Sequence, residues 1–240
     1  MHVSLSQQSD TQLGGRLSVL TRQKHDHIEL DRLIRSVEAA HGTERQELLT
    51  TLCRLVFPHA FAEESVLWPY IRRAVPDGEQ LTLQIEHEHQ EINELFTELE
   101  QLDVDSQQHH DLFGKIVELL REDVRDEEDQ LLPRLQQQAS NGDLVRLGLA
   151  WEAVRRTAPT HPHPVVARRP PGNVLAAAPL TVLDRSRDRL DRYCRTHSRY
   201  ADAAQSTSRL LARVAGRIEH VPPLTRGEDP STRTPRTPDA

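Results

Sequence analysis

Apolar residues recur at steps of three and four along most of the first 156 positions, the period of a helix buried on one face. Four long segments carry the pattern. The first runs from about Leu13 to Ala40 and is broken by His41-Gly42-Thr43; the second runs from about Glu44 to Ala74 and stops at the turn signal Val75-Pro76-Asp77-Gly78. The third covers about Glu79 to Leu102, ahead of the polar stretch Asp103 to Gln108. The fourth covers about His109 to Ala139 and closes at Ser140-Asn141-Gly142, and a shorter helix follows from Asp143 to Arg156. Breaks this short join antiparallel neighbours. The pattern therefore predicts an all-α fold, an antiparallel up-down four-helix bundle with a C-terminal helical extension.

The pattern changes at Thr157. Thr160-His161-Pro162-His163-Pro164 and Arg168-Arg169-Pro170-Pro171-Gly172 cannot hold a helix, because each proline removes a donor and constrains its neighbour. Residues 157–179 thus read as a linker or extended strap. Leu180, Leu183, Leu190, Tyr193, His197, Tyr200, Ala204, Leu211, Val214 and Ile218 then predict one long amphipathic helix over 180–220. The Pro, Thr, Arg and Asp that dominate 221–240 predict a disordered tail.

The first four segments contain an internal repeat. His59-Ala-Phe-Ala-Glu63-Glu64-Ser-Val-Leu67-Trp68-Pro69 matches Asp123-Val-Arg-Asp-Glu127-Glu128-Asp-Gln-Leu131-Leu132-Pro133, 64 residues later. His27-Ile-Glu-Leu30-Asp-Arg-Leu33-Ile34 matches His89-Gln-Glu-Ile92-Asn-Glu-Leu95-Phe96, 62 residues later. Two helical hairpins of related design make up the bundle.

Within these helices some ionisable residues fall on the apolar stripe. His27 lies in line with Leu13, Leu17, Leu20, Leu30, Ile34 and Val37; His59 and Glu63 with Leu52, Val56, Val66 and Tyr70. His89 lies in line with Ile85, Ile92, Phe96 and Leu99; Asp123 and Glu127 with Leu112, Ile116, Leu120 and Leu131. Three histidines and three carboxylates thus face the interior. Buried without partners, each would cost several kcal/mol, as much as a domain's whole stability. A pair of divalent metals removes that cost, and carboxylates mixed with imidazoles favour iron or manganese over structural zinc. One histidine on an apolar stripe is usually a satisfied core residue, but six such groups on four repeated helices are not explained that way. In the run Asp126 to Asp129, three of the four acids are expected to form a solvated face.

Composition sharpens this picture in two ways. The net charge of -7 divides unevenly: residues 1–157 hold 29 acidic and 16 basic side chains, residues 158–240 hold 8 and 14. The two parts are able to attract one another. Cys53 and Cys194 form no paired motif, so neither a disulfide scaffold nor a thiolate metal site is indicated. With no signal-like start and no apolar run long enough for a membrane span, the expected location is cytoplasmic, with no membrane partner.

The run His59-x-x-x-Glu63-Glu64-x-x-Leu67-Trp68-Pro69, its partner ending Glu127-Glu128-x-x-Leu131-Leu132-Pro133, and the Asp26-His27 and Glu88-His89 helices resemble the hemerythrin-like HHE cation-binding domain, over about residues 13 to 139. The resemblance implies a non-haem di-iron centre. His27 and His59 would be terminal ligands of one metal, His89 would serve the other, and Glu63 and Glu127 would bridge. His25 and His87 compete on their helices, but the apolar residues at +3, +6 and +7 fit His27 and His89. Two departures matter. Asp123 stands where the family's fourth helix usually has histidine, and Asn93 stands where oxygen carriers have a second histidine on the third helix. Both leave the second metal with fewer nitrogen donors and more room for a small ligand.

Taken together, residues 1–156 are expected to form a hemerythrin-like bundle holding two iron ions, or manganese, through His27, His59, Glu63, His89, Asp123 and Glu127. The expected role is to bind or sense O2, NO or peroxide. The alternative is a metal-poor helical module acting through the C-terminal helix. That helix could support a homodimer or pack on the acidic bundle; its Asp184, Asp188 and Asp191 among the arginines argue against nucleic acid. His161 and His163 read as part of a rigid connector. No substrate pocket for an organic molecule is indicated.

Overall fold

The computed structural model describes residues 3–197 and 199–233. Among these the regular structure is helical. Helix α1 spans Val19–Ala39, α2 Gly42–Ala62, α3 Trp68–Ala74, α4 Gly78–Leu99, α5 Gln107–Asp126, α6 Leu132–Gln138 and α7 Asn141–Thr157. The C-terminal part adds α8, Gly172–Thr196, and α9, Ala201–Glu219.

Helix α1 starts later than the apolar period suggests. Gly14 and Gly15 take φ of 93° and 84°, left-handed values that end any helix from Leu13. Ser18 then caps α1, its side chain accepting from the Leu20 amide. Leu17, expected on the stripe, is exposed. Close packing of α7 follows from Gly148, whose backbone approaches Leu17 and Val19 too closely for a β-carbon.

Two single π turns join α2 to α3 and α5 to α6, at Glu63–Leu67 and Glu127–Leu131. Their cause lies in the sequence. Pro69 and Pro133 have no N–H to offer the preceding turn, and the amides of Trp68 and Leu132 bond instead five residues back, to the carbonyls of Glu63 and Glu127. The widened turn lets two consecutive side chains sit inside: Glu63 and Glu64 in one half, Glu127 and Glu128 in the other, are all buried.

The bundle holds two apolar clusters. One gathers Leu5, Leu13, Leu20, Leu67, Trp68, Ile71, Ile85, Leu131 and Trp151; the other gathers Leu33, Ile34, Val56, Phe57, Ile92, Phe96, Phe113, Ile116 and Leu120. On each long helix the inward ionisable residues fall between the two, so a polar layer crosses the core.

Beyond α7 the structure corrects three expectations. The single helix over 180–220 is two helices, α8 and α9, packed as a hairpin and broken before Tyr200, which takes φ 63°. The strap is shorter than expected, because α8 begins at Gly172 and contains Pro179 on its exposed side, where water can serve the carbonyl that Pro179 leaves unpaired. The tail is ordered through Arg233, with turns at Pro222–Thr225 and Pro230–Thr232 that bury Leu224 and Thr232; residues 234–240 of the expected tail lie outside the described residues. Leu224 packs with Val166, Ala176, Leu180 and Ala215 in a small third cluster. No helix among the described residues is long and apolar enough to cross a membrane.

Candidate metal centre

The polar layer brings all six sequence-selected residues together. Nε2 of His27 lies 3.2 Å from Glu127 Oε2, and Nε2 of His59 lies 3.1 Å from Glu63 Oε1. Nε2 of His89 lies 3.8 Å from Glu63 Oε2 and 3.5 Å from Asp123 Oδ1. Two groups have ligand atoms within 4.8 Å of one another: His27, His59 and Glu127; and Glu63, His89 and Glu127. Glu127 belongs to both, and the two oxygens of Glu63 reach toward His59 and His89. Asp123 joins through His89. His25 and His87 are exposed, and His25 meets Asp10 instead.

Each of the three histidines is held from behind by an acid. Nδ1 of His27 faces Glu128 Oε1 at 2.9 Å, Nδ1 of His59 faces Asp26 Oδ2 at 3.1 Å, and Nδ1 of His89 faces Glu64 Oε1 at 3.0 Å. An Nδ1–H given to a carboxylate fixes the ring and leaves the Nε2 lone pair free, the usual support of a metal-bound imidazole. The supports cross between the repeated halves: the second glutamate of each π turn holds the histidine of the opposite hairpin. Gln23 Nε2 adds a bond to Glu63 Oε1 at 2.6 Å, Trp151 meets His59 edge-on, and Trp68 stacks on His89.

Glu64, Glu128, Asp26 and Gln23 were not assigned a role from sequence. Glu128 corrects the expectation of a solvated acidic face: Glu127 and Glu128 are buried and only Asp126 and Asp129 reach solvent. The signal was the repeated Glu-Glu pair before proline, whose geometry needs the π turn to be understood.

Several ligand atoms are buried with no hydrogen-bond partner: His27 Nε2, Glu63 Oε2, both oxygens of Glu127, and Asp123 Oδ1. Atoms this polar cost free energy when buried and unsatisfied. They converge on one place, and imidazole with carboxylate is a donor set that suits iron or manganese. The residues fit a metal pair.

Electrostatics describes the same strain. Burial opposes charge on His27, but Glu127 and Glu128 outweigh it and raise its pKa to about 9. His89 rises to about 10 against burial through Asp123, Glu64 and Glu63. Burial, and then Glu127, push Glu63 up; burial pushes Asp123 well above the carboxylate range. Glu127 stays low despite burial because His27 is beside it. Protons on the imidazoles thus supply positive charge that this cluster of acids requires.

Asn93 was expected to leave space. Its side chain is instead engaged at both ends, Nδ2 donating to the His89 carbonyl at 2.9 Å and Oδ1 accepting from the His163 amide at 3.1 Å. The strap is therefore tied to the helix that carries His89. Nor are His161 and His163 a mere connector. Nδ1 and Nε2 of His163 meet Glu219 and Asp184 at 2.8 and 3.0 Å, while those of His161 meet Glu100 and Asp188 at 2.6 and 3.2 Å.

Comparison with known proteins agrees with this geometry. The family model described as the hemerythrin HHE cation binding domain matches residues 18–135. Those residues are a hemerythrin HHE domain. An uncharacterised hemerythrin-like protein of Schizosaccharomyces pombe is 22% identical over 136 residues, covering 56% of this chain and 67% of that protein. No solved structure matches the chain. The hemerythrin-like fold and a cluster suited to metal are thus established; residues 157–240 lie outside the matched domain.

Proposed function

We propose that the HHE domain holds two iron ions, manganese being the alternative, and binds or senses O2, NO or peroxide. The observation that carries this reading is the set of buried ligand atoms without hydrogen-bond partners, backed by three acid-held imidazoles. His27 and His59 would hold one metal, His89 and Asp123 the other, and Glu63 and Glu127 would bridge. When bound, such a pair supplies redox change and coordination positions for a small ligand.

The chain's own residues favour a very small ligand. A cavity of about 30 Å³ adjoins the cluster, lined by His27, His59, His89 and Asp123 on one side and by Leu30, Val56, Phe57, Ile92 and Leu120 on the other. That space suits a diatomic molecule or peroxide and no organic substrate. The apolar wall limits water, and the acid-held rings keep the donors in place. We place the protein in the cytoplasm, a reducing compartment in which Cys53 and Cys194 would stay thiols.

Metal analysis of aerobically purified protein tests the reading. We expect close to two irons per chain and a visible charge-transfer absorption that dithionite bleaches. Well under one iron per chain without that absorption would overturn it and favour a helical interaction module.

A further inference from the structure

A second cavity, of about 270 Å³, lies in the seam between the bundle and the C-terminal extension. Leu49 and Cys53 of α2 and Phe96 and Leu99 of α4 give it an apolar floor, while Arg187, Asp191 and Arg195 of α8 form one side. None of the six metal-centre residues lines it.

Its polar groups are unequally satisfied. Two of the three lining acids are engaged: Glu100 meets His161 at 2.6 Å and Arg187 at 3.2 Å, and Asp188 meets Thr160 at 3.0 Å, His161 at 3.2 Å and Arg54 at 3.7 Å. The arginines are only partly satisfied. Nε of Arg187 and Nε of Arg195 are buried without a hydrogen-bond partner, although Arg187 gives another N–H to Glu100; Nδ1 of the neutral His109 is likewise buried without one. The ion-pair partner of Arg195, Glu47, stands 3.8 Å from that Nε and is itself half exposed. His109 is only 3% exposed. Burial, reinforced by Arg45, pushes it down to about 4, and burial pushes the Cys53 thiol up, so both are neutral walls. Buried donors of this kind favour a ligand that brings acceptors.

We propose that this seam is a binding site for a small amphipathic carboxylate. Its acid group accepts from Arg187 and Arg195, and its apolar body lies on Leu49, Cys53, Phe96 and Leu99. Asp191, between the two arginines along α8, restricts the occupant to a single negative charge. The cavity falls just short of the roughly 300–1,000 Å³ typical of small-molecule sites, which limits the body to roughly six to eight carbons. Because the donors belong to α8 and the floor to α2 and α4, the ligand joins the extension to the bundle. The site does not depend on the identity of the metal.

Calorimetric titration and thermal unfolding of the full-length protein with hexanoate, hexanol and acetate test this. We expect hexanoate to bind and raise Tm, and the other two to bind at least about tenfold more weakly, since one lacks the acid and the other the apolar body. Arg195→Gln should weaken hexanoate roughly tenfold. Thr50→Phe fills the cavity from a half-buried position on α2 and should abolish binding, with helicity and metal content unchanged. No binding of hexanoate to the native protein, equal binding of hexanol, or undiminished binding to a folded Thr50→Phe variant would each overturn the proposal.

Discussion

The two ends of the candidate metal centre are built on one plan and finished differently. At the His27 end, two imidazoles meet the shared Glu127, and each has its Nδ1 held, by Glu128 and by Asp26. At the His89 end, one imidazole is held by Glu64, and the place that the repeat gives to His59 is taken by Asp123. The support has no ring to hold there: Glu88, which matches Asp26 in the repeat, has a buried Oε2 without a hydrogen-bond partner. The ends also differ in cover. The strap and Arg168 lie over the His89 side, with Arg168 3.7 Å from Glu64 and His163 bonded to Asn93. A repeat can thus keep its scaffold while the donor sets at its two ends diverge by a single residue.

Loss of a ring should break the comparison most severely. His59→Ala removes half the nitrogen donors of the stronger end, and a fall of roughly 100-fold or more in metal affinity is expected there. Chelator competition would measure it; unchanged affinity means that the His27 end is not a metal site. Asp123→His should move the other way. It gives Glu88 a ring to hold and should tighten the second metal by roughly tenfold or more, making the two binding steps nearly equal.

The supports can be separated next. Glu128→Gln should weaken only the metal at His27 and Glu64→Gln only the one at His89, each by roughly 10-fold or more. Titration with cobalt(II), followed by absorption, resolves the two steps, and equal effects on both would deny the crossed pairing.

The smallest effect concerns cover. His161 and His163 are raised to about 10 and about 9, against burial, by Glu100 and Asp184 first among their partners. Their contribution is fully present below the unfolded value of about 6.5 and is lost as pH rises through 9 to 10. Hydrogen exchange should therefore show α8 and α9 loosening in that window before α1 or α2. His163→Ala should remove about 3 kcal/mol of the extension's stability, mainly by leaving Glu219 buried without its partner while Asp184 keeps the Thr160 and His161 amides, and abolish much of that pH dependence.

Much of the bundle was legible because helical period and inward polarity are local. His27, His59, Glu63, His89, Asp123 and Glu127 could be placed by counting threes and fours. Glu64 and Glu128 could not, since a regular helix turns neighbours about 100° apart and only the π turns bring both inward. The break before Tyr200 carries no glycine or proline to announce it. His161 and His163 meet acids as distant as Glu100 and Glu219, which no local pattern relates. A non-helical stretch could be read over 157–179, longer than the 158–171 observed, but not its tie to the helix that carries His89 through Asn93.

The polar layer also bears on how the domain comes apart. With one apolar cluster on each side of it, the core contains two packed halves, joined by the long helices that run through both and separated by buried polar atoms without hydrogen-bond partners. Ions shared by all four long helices would weld those halves into one cooperative unit. Without them, melting should spread over a wider range, with a van't Hoff enthalpy below the calorimetric one.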